Sequence, residues 1–297
     1  MRAVVRGERG PVLVDVAAPE PGPGQVRIRT VAAAVNPVDV ATARGLFGEL
    51  AGAGLGWDVA GTVDAVGPGV DGPAVGERVV GFRDRLLPAL GSHAELVVLD
   101  AAAVAPAPDL DPVRAATFPL NASTAWQGLD ALGLAPGDSL LVTGAAGAVG
   151  RHAATLAVRR GLRVVAAVRP GAGHRVDTPY VETADGWPDA VRALAPGGVD
   201  GAFDAAGLGA TALDAVRSAG RYLSVLPVLP LPPAFRGVTT RAVAAYGDRT
   251  VLTELVALAA AGVLDVPEPE RFPLADATSA YARAAEPGRG TPVVLVP

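Results

Sequence analysis

The sequence predicts an α/β protein in which a doubly wound parallel sheet is inserted into a β-rich domain. Three observations predict it: turn-punctuated apolar runs over the first 110 residues, a regular strand–helix alternation after them, and a glycine turn joining one strand to a helix. At 297 residues the chain is long enough for about two domains.

In chain order, strands are expected at residues 2–5, 12–16, 26–35, 61–66, 78–80 and 94–98, separated by clusters such as Pro19-Glu20-Pro21-Gly22-Pro23-Gly24 and Gly67-Pro68-Gly69. Within Val26-Arg27-Ile28-Arg29-Thr30, apolar and polar residues alternate with period two, the signature of a half-buried strand. The texture changes near Asp109: Asp111 is a candidate N-cap and Pro112 a first helical residue, and residues 123–132 form a second helical pattern. Strand and helix then alternate at 140–142, 147–159, 164–168, 188–194, 199–203, 210–218 and 222–225, the pattern of a parallel sheet covered on both faces. From about Asp265 the chain returns to short strands around one helix, 274–284, and ends in a strand at 292–296. The β-like tail is expected to rejoin the front, giving one domain from 1–115 with 265–297 and another from 116–264. The Pro-rich segment 227–233 reads equally as a loop near the active cleft or as a plain surface loop.

Composition excludes several chemistries. There is no Cys, hence no disulfide framework, thiolate zinc site, iron–sulfur cluster or cysteine nucleophile. All 25 cations are Arg, hence no Schiff-base or P-loop lysine. The joint depletion of Lys, Ile and Asn reads as the codon bias of a G+C-rich genome. A net charge of −5 argues against a nucleic-acid or membrane-surface partner. No apolar run reaches the roughly 18–20 residues needed to span a bilayer, and Met1 leads directly into charged, strand-like sequence, so a cytoplasmic protein is expected.

The strongest chemical signal is Leu140-Leu141-Val142-Thr143-Gly144-Ala145-Ala146-Gly147-Ala148-Val149-Gly150. An apolar strand runs into glycines at spacing three and three, then into a helix, with a second strand at 164–168. Glycine lets backbone N–H groups approach a pyrophosphate, and the helix N-terminus adds unpaired donors and partial positive charge. Where an NAD-preferring fold carries Asp or Glu after its second strand, this chain has Arg169, with Arg175 six residues on. A guanidinium suits a 2′-phosphate, so NADPH is favoured over NADH; the alternative is a surface arginine in an arginine-only chain.

With these residues in place, the chain resembles the zinc-free quinone oxidoreductase (zeta-crystallin-like) branch of the medium-chain dehydrogenase/reductases over nearly its whole length. The resemblance rests on Val35-Asn36-Pro37-Val38-Asp39, Gly56-Trp57-Asp58-Val59-Ala60-Gly61-Thr62-Val63, Val66-Gly67-Pro68-Gly69-Val70, Val75-Gly76-Glu77-Arg78-Val79, Ser92-His93-Ala94-Glu95, Phe118-Pro119-Leu120, Ser123-Thr124-Ala125-Trp126 and the glycine turn. It implies a GroES-like β domain from front and tail, a Rossmann domain in the middle, and NADPH in the cleft between. Zinc-dependent relatives place Cys near the Asn36 region, a His-Glu pair where this chain has Trp57-Asp58, and a four-Cys lobe; none of these is here, which implies no metal.

Carried over residue by residue, Asn36 becomes the candidate polar group of the substrate pocket, its alternative being a structural amide closing the turn before Pro37. Thr124 falls where the family touches the nicotinamide. Gly144, Ala145, Gly147, Ala148, Val149 and Gly150 hold the pyrophosphate, and Asp204-Ala205-Ala206-Gly207 and Val225-Leu226 match strand ends that line the nicotinamide. Asn121, the other of two Asn, reads as a pocket adaptation or a helix cap. Three departures stand out. Residues 170–179 are too short and broken for the helix usual after the second strand; no Tyr of the front domain is available as proton donor; and His93 replaces the usual aromatic, as a general acid or a structural histidine. The resemblance implies an NADPH-dependent reductase of quinones or α,β-unsaturated carbonyls, working as a homodimer. Its alternatives are a natural-product enoyl reductase and a non-catalytic NADPH-binding sensor or scaffold.

Overall fold

The computed structural model describes residues 1–48, 50–288 and 290–297. Its strands are β1 (Arg2–Gly7), β2 (Gly10–Asp15), β3 (Gln25–Ala34), β4 (Asp58–Val66), β5 (Arg78–Phe82), β6 (Leu96–Asp100), β7 (Val104–Pro106), β8 (Ser139–Thr143), β9 (Arg163–Val168), β10 (Tyr180–Glu182), β11 (Val199–Asp204), β12 (Val216–Ser224), β13 (Thr239–Ala242), β14 (Glu270–Pro273) and β15 (Val293–Val296). Its α-helices are α1 (Pro37–Ala43), α2 (Pro112–Ala115), α3 (Pro119–Leu132), α4 (Ala148–Arg159), α5 (Trp187–Leu194), α6 (Ala210–Asp214), α7 (Arg249–Ala260) and α8 (Ala277–Ala284). The chain divides into two compact units, residues 1–120 with 246–297, and residues 121–245.

The first unit is a β domain. Its larger sheet runs β14-β15-β3-β4-β5-β7, with β6 paired on β3, and β1-β2 form a separate hairpin. β3 shows why the front folds this way: Val26 and Ile28 are fully buried, while Arg27 and Arg29 point outward and both reach Asp64 on β4 at 2.7 Å. The tail rejoins the front through β15, which pairs antiparallel with β3 at Val294 and Ala34. Val4, Val35, Leu55, Leu274, Tyr281 and Leu295 share one core there.

Residues 246–264, expected with the middle domain, lie in the first unit. The cause is α7, capped by Asp248, whose carboxylate accepts from the Thr250 and Val251 N–H groups at 2.8 and 3.2 Å. Arg249 ties the helix down, donating to the Ala101 carbonyl at 2.6 Å and to that of Asp71 at 2.7 Å.

The second unit is an all-parallel sheet in the order β10-β9-β8-β11-β12-β13. Numbered within the unit, that order is three-two-one-four-five-six, the doubly wound dinucleotide-binding arrangement. Leu140, Leu141 and Val142 of β8 are completely buried, as a central strand covered on both faces requires. The helix expected over 210–218 ends at Asp214, and β12 begins at Val216 with an irregular stretch in which Ala219 takes φ 57°. No helix among the described residues is long and apolar enough to cross a membrane.

Candidate active site

The chain leaves β8 toward one side of the parallel sheet and returns to the other side at β11, so the direction of winding reverses between these neighbours. At such a reversal the loops at the carboxyl ends diverge and leave a crevice for a ligand. Here the two diverging loops are the glycine turn after β8 and residues 205–209 after β11.

The glycine turn has the geometry its spacing predicts. Gly144 takes φ 61°, Gly147 caps α4, and the first intrahelical bond of α4 is from Arg151 N–H to the Gly147 carbonyl at 3.0 Å. The N–H groups of Ala148, Val149 and Gly150 precede that bond and sit at the positive end of the helix. A Cβ on Gly150 would lie 2.2 Å from the Gly144 carbonyl oxygen, so only glycine fits. Ala145 is buried beneath the turn, whereas Gly147 is exposed and Ala148 and Val149 are half-buried. The cradle therefore offers backbone donors to solvent on a buried base, which suits a pyrophosphate.

The other expected cofactor residues follow the carboxyl ends of the same sheet. Ala206 lies in the loop after β11, and its Cβ is 3.3 Å from where a Cβ of Gly144 would be. Val225 and Leu226 follow β12; the Val225 N–H donates to the Asp204 carbonyl at 3.2 Å and that of Leu226 to Ser224 Oγ at 3.1 Å. Leu226 and Leu229 pack against Gly207, which places the start of the Pro-rich segment beside the β11 loop. Arg169 directly follows β9 and is exposed; Arg175 ends a 3-10 turn, Gly173–Arg175, and is exposed as well. Between β9 and β10 this turn stands where a longer helix would otherwise run.

In the first unit, Asn36 is N-cap of α1 and 5% exposed. Its N–H donates to Asp39 Oδ2 and its side-chain amide to Asp58 Oδ2, both at 2.7 Å. Asp58 Oδ1 accepts the N–H of Leu120, in the first turn of α3, also at 2.7 Å. Burial pushes the Asp58 carboxyl up to about 7, against the pull of the Asn36 amide and the Leu120 N–H. Burial likewise raises Asp39 well above the carboxylate range, and the Asp58 charge adds to the rise. Sequence alone marks neither carboxylate as a site residue, although the Asn36-Pro37 start followed by Asp39 is a helix-capping signature.

His93 is structural. It is fully buried, its Nε2–H donates to the Ala34 carbonyl at 2.8 Å, and its Nδ1 accepts the Tyr281 hydroxyl at 2.9 Å. Burial lowers its pKa to about 4, and with both ring nitrogens engaged it has no proton to offer a substrate. Tyr281 joins the first unit from the tail, but its hydroxyl is committed to His93. His152 is buried within α4, with its pKa lowered to about 3 by burial and by Arg151. Thr124 lies on α3 and is 7% exposed, with Asn121 and Gln127 similarly buried one turn to either side. Gln127 carries no sequence motif that would mark it.

The described residues do not fit zinc. Of the Trp57-Asp58 pair that stands where zinc-dependent relatives carry His-Glu, Trp57 offers no ligand and Asp58 has both oxygens occupied by N–H donors. Among the described residues no group of three His, Cys, Asp or Glu is arranged to hold a metal ion.

Comparison with known proteins agrees with this geometry. Residues 22–109 match the alcohol dehydrogenase GroES-like domain and residues 171–290 match a zinc-binding dehydrogenase domain. The crystal structure of an NAD-dependent alcohol dehydrogenase superposes with TM-score 0.85 at 30% identity, covering all of both chains. A mycobacterial quinone oxidoreductase superposes with TM-score 0.83 at 27% identity, again over all of both. A mycocerosic acid synthase-like polyketide synthase of Mycobacterium tuberculosis is 31% identical over 88% of this chain, which spans only 13% of that protein. The 2-methylene-furan-3-one reductase of Solanum lycopersicum is 34% identical over 76% of this chain and 61% of its own length.

Proposed function

Because the chain belongs to the medium-chain dehydrogenase/reductase family, we propose that this oxidoreductase is an NADPH-dependent reductase, transferring hydride to a quinone or an α,β-unsaturated carbonyl without a metal. The observation that carries the reading is the open glycine cradle at the point where the sheet reverses, with Arg169 after the neighbouring strand where an acidic residue would select NAD. Bound there, the cofactor supplies a hydride from its nicotinamide ring. The protein's part is to hold the pyrophosphate on the amides of residues 148–150, the 2′-phosphate on Arg169 with Arg175 beside it, and the nicotinamide against Ala206, Val225 and Leu226.

Asn36 and Thr124 are the polar groups assigned to the substrate and nicotinamide. With its amide nitrogen spent on Asp58, Asn36 acts by orientation rather than by proton transfer. A quinone reduced by hydride takes its proton from water, which suits residues that include no free acid at His93 or Tyr281. The names of the mycobacterial quinone oxidoreductase and of the tomato furanone reductase support a conjugated acceptor of this kind. We further read the protein as a cytoplasmic homodimer, whose dimeric state light scattering of the purified protein tests.

A second reading, reduction of an enoyl group in natural-product assembly, is favoured by the polyketide synthase match over 88% of the chain. The decisive assay follows NADPH absorbance with quinones, simple enones and enoyl thioesters. Turnover of quinones supports the first reading and turnover of enoyl thioesters alone the second; tight NADPH binding without turnover of any acceptor would leave a sensor or scaffold. Asn36→Ala should cut turnover and leave cofactor affinity intact, and an unaltered rate would return Asn36 to a purely structural role.

A further inference from the structure

The last residue of β11 is a completely buried carboxylate, Asp204, with no guanidinium or imidazole of the described residues among its hydrogen-bond partners. A buried carboxylate is costly unless its lone pairs are filled. Five neutral donors fill them. Oδ1 accepts from Thr143 Oγ1 at 2.5 Å, Ala206 N at 3.2 Å and Leu208 N at 3.1 Å; Oδ2 accepts from Gly209 N at 2.8 Å and the Tyr222 hydroxyl at 2.5 Å.

These donors come from three directions. Thr143 is the last residue of β8, immediately before the glycine turn; Tyr222 is on β12; the three N–H groups belong to the loop after Asp204 itself. The Thr143 hydroxyl also accepts from Ala206 N at 3.1 Å, so one amide of the loop is held by both side chains. That loop contains two left-handed glycines, Gly207 at φ 70° and Gly209 at φ 57°, a conformation a free loop would populate only in part. Three hydrogen bonds to one carboxylate fix it instead. The fixed loop then meets the glycine turn at Ala206 and Gly144.

We propose that Asp204, acting with Thr143, is a positioning residue. It locks the loop after β11 at a set distance from the glycine turn, and so fixes the wall against which the nicotinamide end of the cofactor rests. This rests on the cofactor reading above. A site held in this way before the ligand arrives loses no ordering entropy on binding and keeps the reacting carbon in register with the acceptor. The proposed 2′-phosphate contacts at Arg169 and Arg175 follow β9, across β8 from Asp204, and so should not sense the lock.

The test compares wild type with Asp204→Asn, which turns an acceptor oxygen into a donor, and with Thr143→Val, which removes one hydroxyl at nearly constant volume. Three quantities are measured: the single-turnover rate of hydride transfer from NADPH to a quinone or enone that wild type turns over, the change in NADPH fluorescence on binding, and the affinity for 2′-phospho-AMP, which lacks the nicotinamide. Both variants should transfer hydride roughly tenfold to a hundredfold more slowly and lose the fluorescence change, with 2′-phospho-AMP binding unchanged. Thr143→Val carries the test if Asp204→Asn does not fold. Unchanged transfer and fluorescence overturn the assignment, and so does equal loss of NADPH and 2′-phospho-AMP binding, which would mean a merely structural carboxylate. If wild type itself binds neither nucleotide, the cofactor reading fails first and the assignment with it.

Discussion

Replacing Asp58 with asparagine should make the stability of the protein fall more steeply with acid. Burial raises the Asp58 carboxyl from 3.8 to about 7, so the folded state holds its proton where the unfolded chain has lost it. The stability so gained is fully present below pH 3.8 and is lost as pH rises through 7. Three units at ~1.4 kcal/mol each amount to about 4 kcal/mol over the whole range, of which about 3 kcal/mol fall between pH 5 and pH 8. In wild type this is masked. His93 and His152, lowered from 6.5 to about 4 and about 3, lose their stabilising contribution as pH falls below 6.5, in the opposite sense. The difference between wild type and Asp58→Asn removes the histidines from the comparison. The side-chain amide of that variant also turns a donor toward either the Asn36 amide or the Leu120 N–H, a pH-independent cost of about 1–3 kcal/mol. Urea unfolding followed by circular dichroism at pH 5, 6, 7 and 8 should show the wild-type advantage shrinking by about 3 kcal/mol from the lowest to the highest pH. A constant advantage would refute a raised carboxyl at Asp58; one that grows with pH would mean that its two N–H donors outweigh burial.

Other outcomes follow from single contacts. Arg169→Ala should weaken NADPH by about tenfold more than NADH, a charge-assisted contact of about 1–2 kcal/mol, and equal losses in calorimetric titrations would sink the 2′-phosphate assignment. Gly150→Ala puts a Cβ 2.2 Å from the Gly144 carbonyl oxygen, so both nucleotides should bind at least roughly tenfold more weakly, and wild-type affinity would contradict the cradle. His93→Phe leaves the Tyr281 hydroxyl and the Ala34 carbonyl without their partner and should cost about 2–4 kcal/mol of stability. The pH profile of kcat/KM should nevertheless keep its shape; a lost limb would restore His93 as an acid.

What could be read from the sequence were features encoded within a dozen neighbouring residues. The glycine turn declares itself because strand, spacing and helix are contiguous, and the Val26-to-Thr30 alternation because period two needs only five residues. α1 hides behind Val38, Val40 and Thr42, β-branched residues that read as strand, although Asn36, Pro37 and Asp39 mark its start. α7 changes units through Arg249, whose carbonyl partners at Asp71 and Ala101 lie far back in the chain. The same holds for chemistry. His93 is settled by Tyr281, 188 positions away, and Asp204 by Thr143, 61 positions away. No local pattern contains either partner, so the sequence leaves His93 open between acid and scaffold and marks Asp204 only as part of a strand end, without its partners.

The short crossover between β9 and β10 sets how the protein should respond to its ionic surroundings. On the proposed cofactor reading, with a 3-10 turn there, discrimination between the two nucleotides would fall to Arg169 and Arg175, both exposed. Exposed charges are screened over a Debye length of about 8 Å at physiological salt and about 3 Å at 1 M. Nucleotide choice should then depend on the medium. At low salt the phosphorylated form should be preferred strongly, and concentrated salt should erode that preference while the uncharged amide cradle keeps its hold on both.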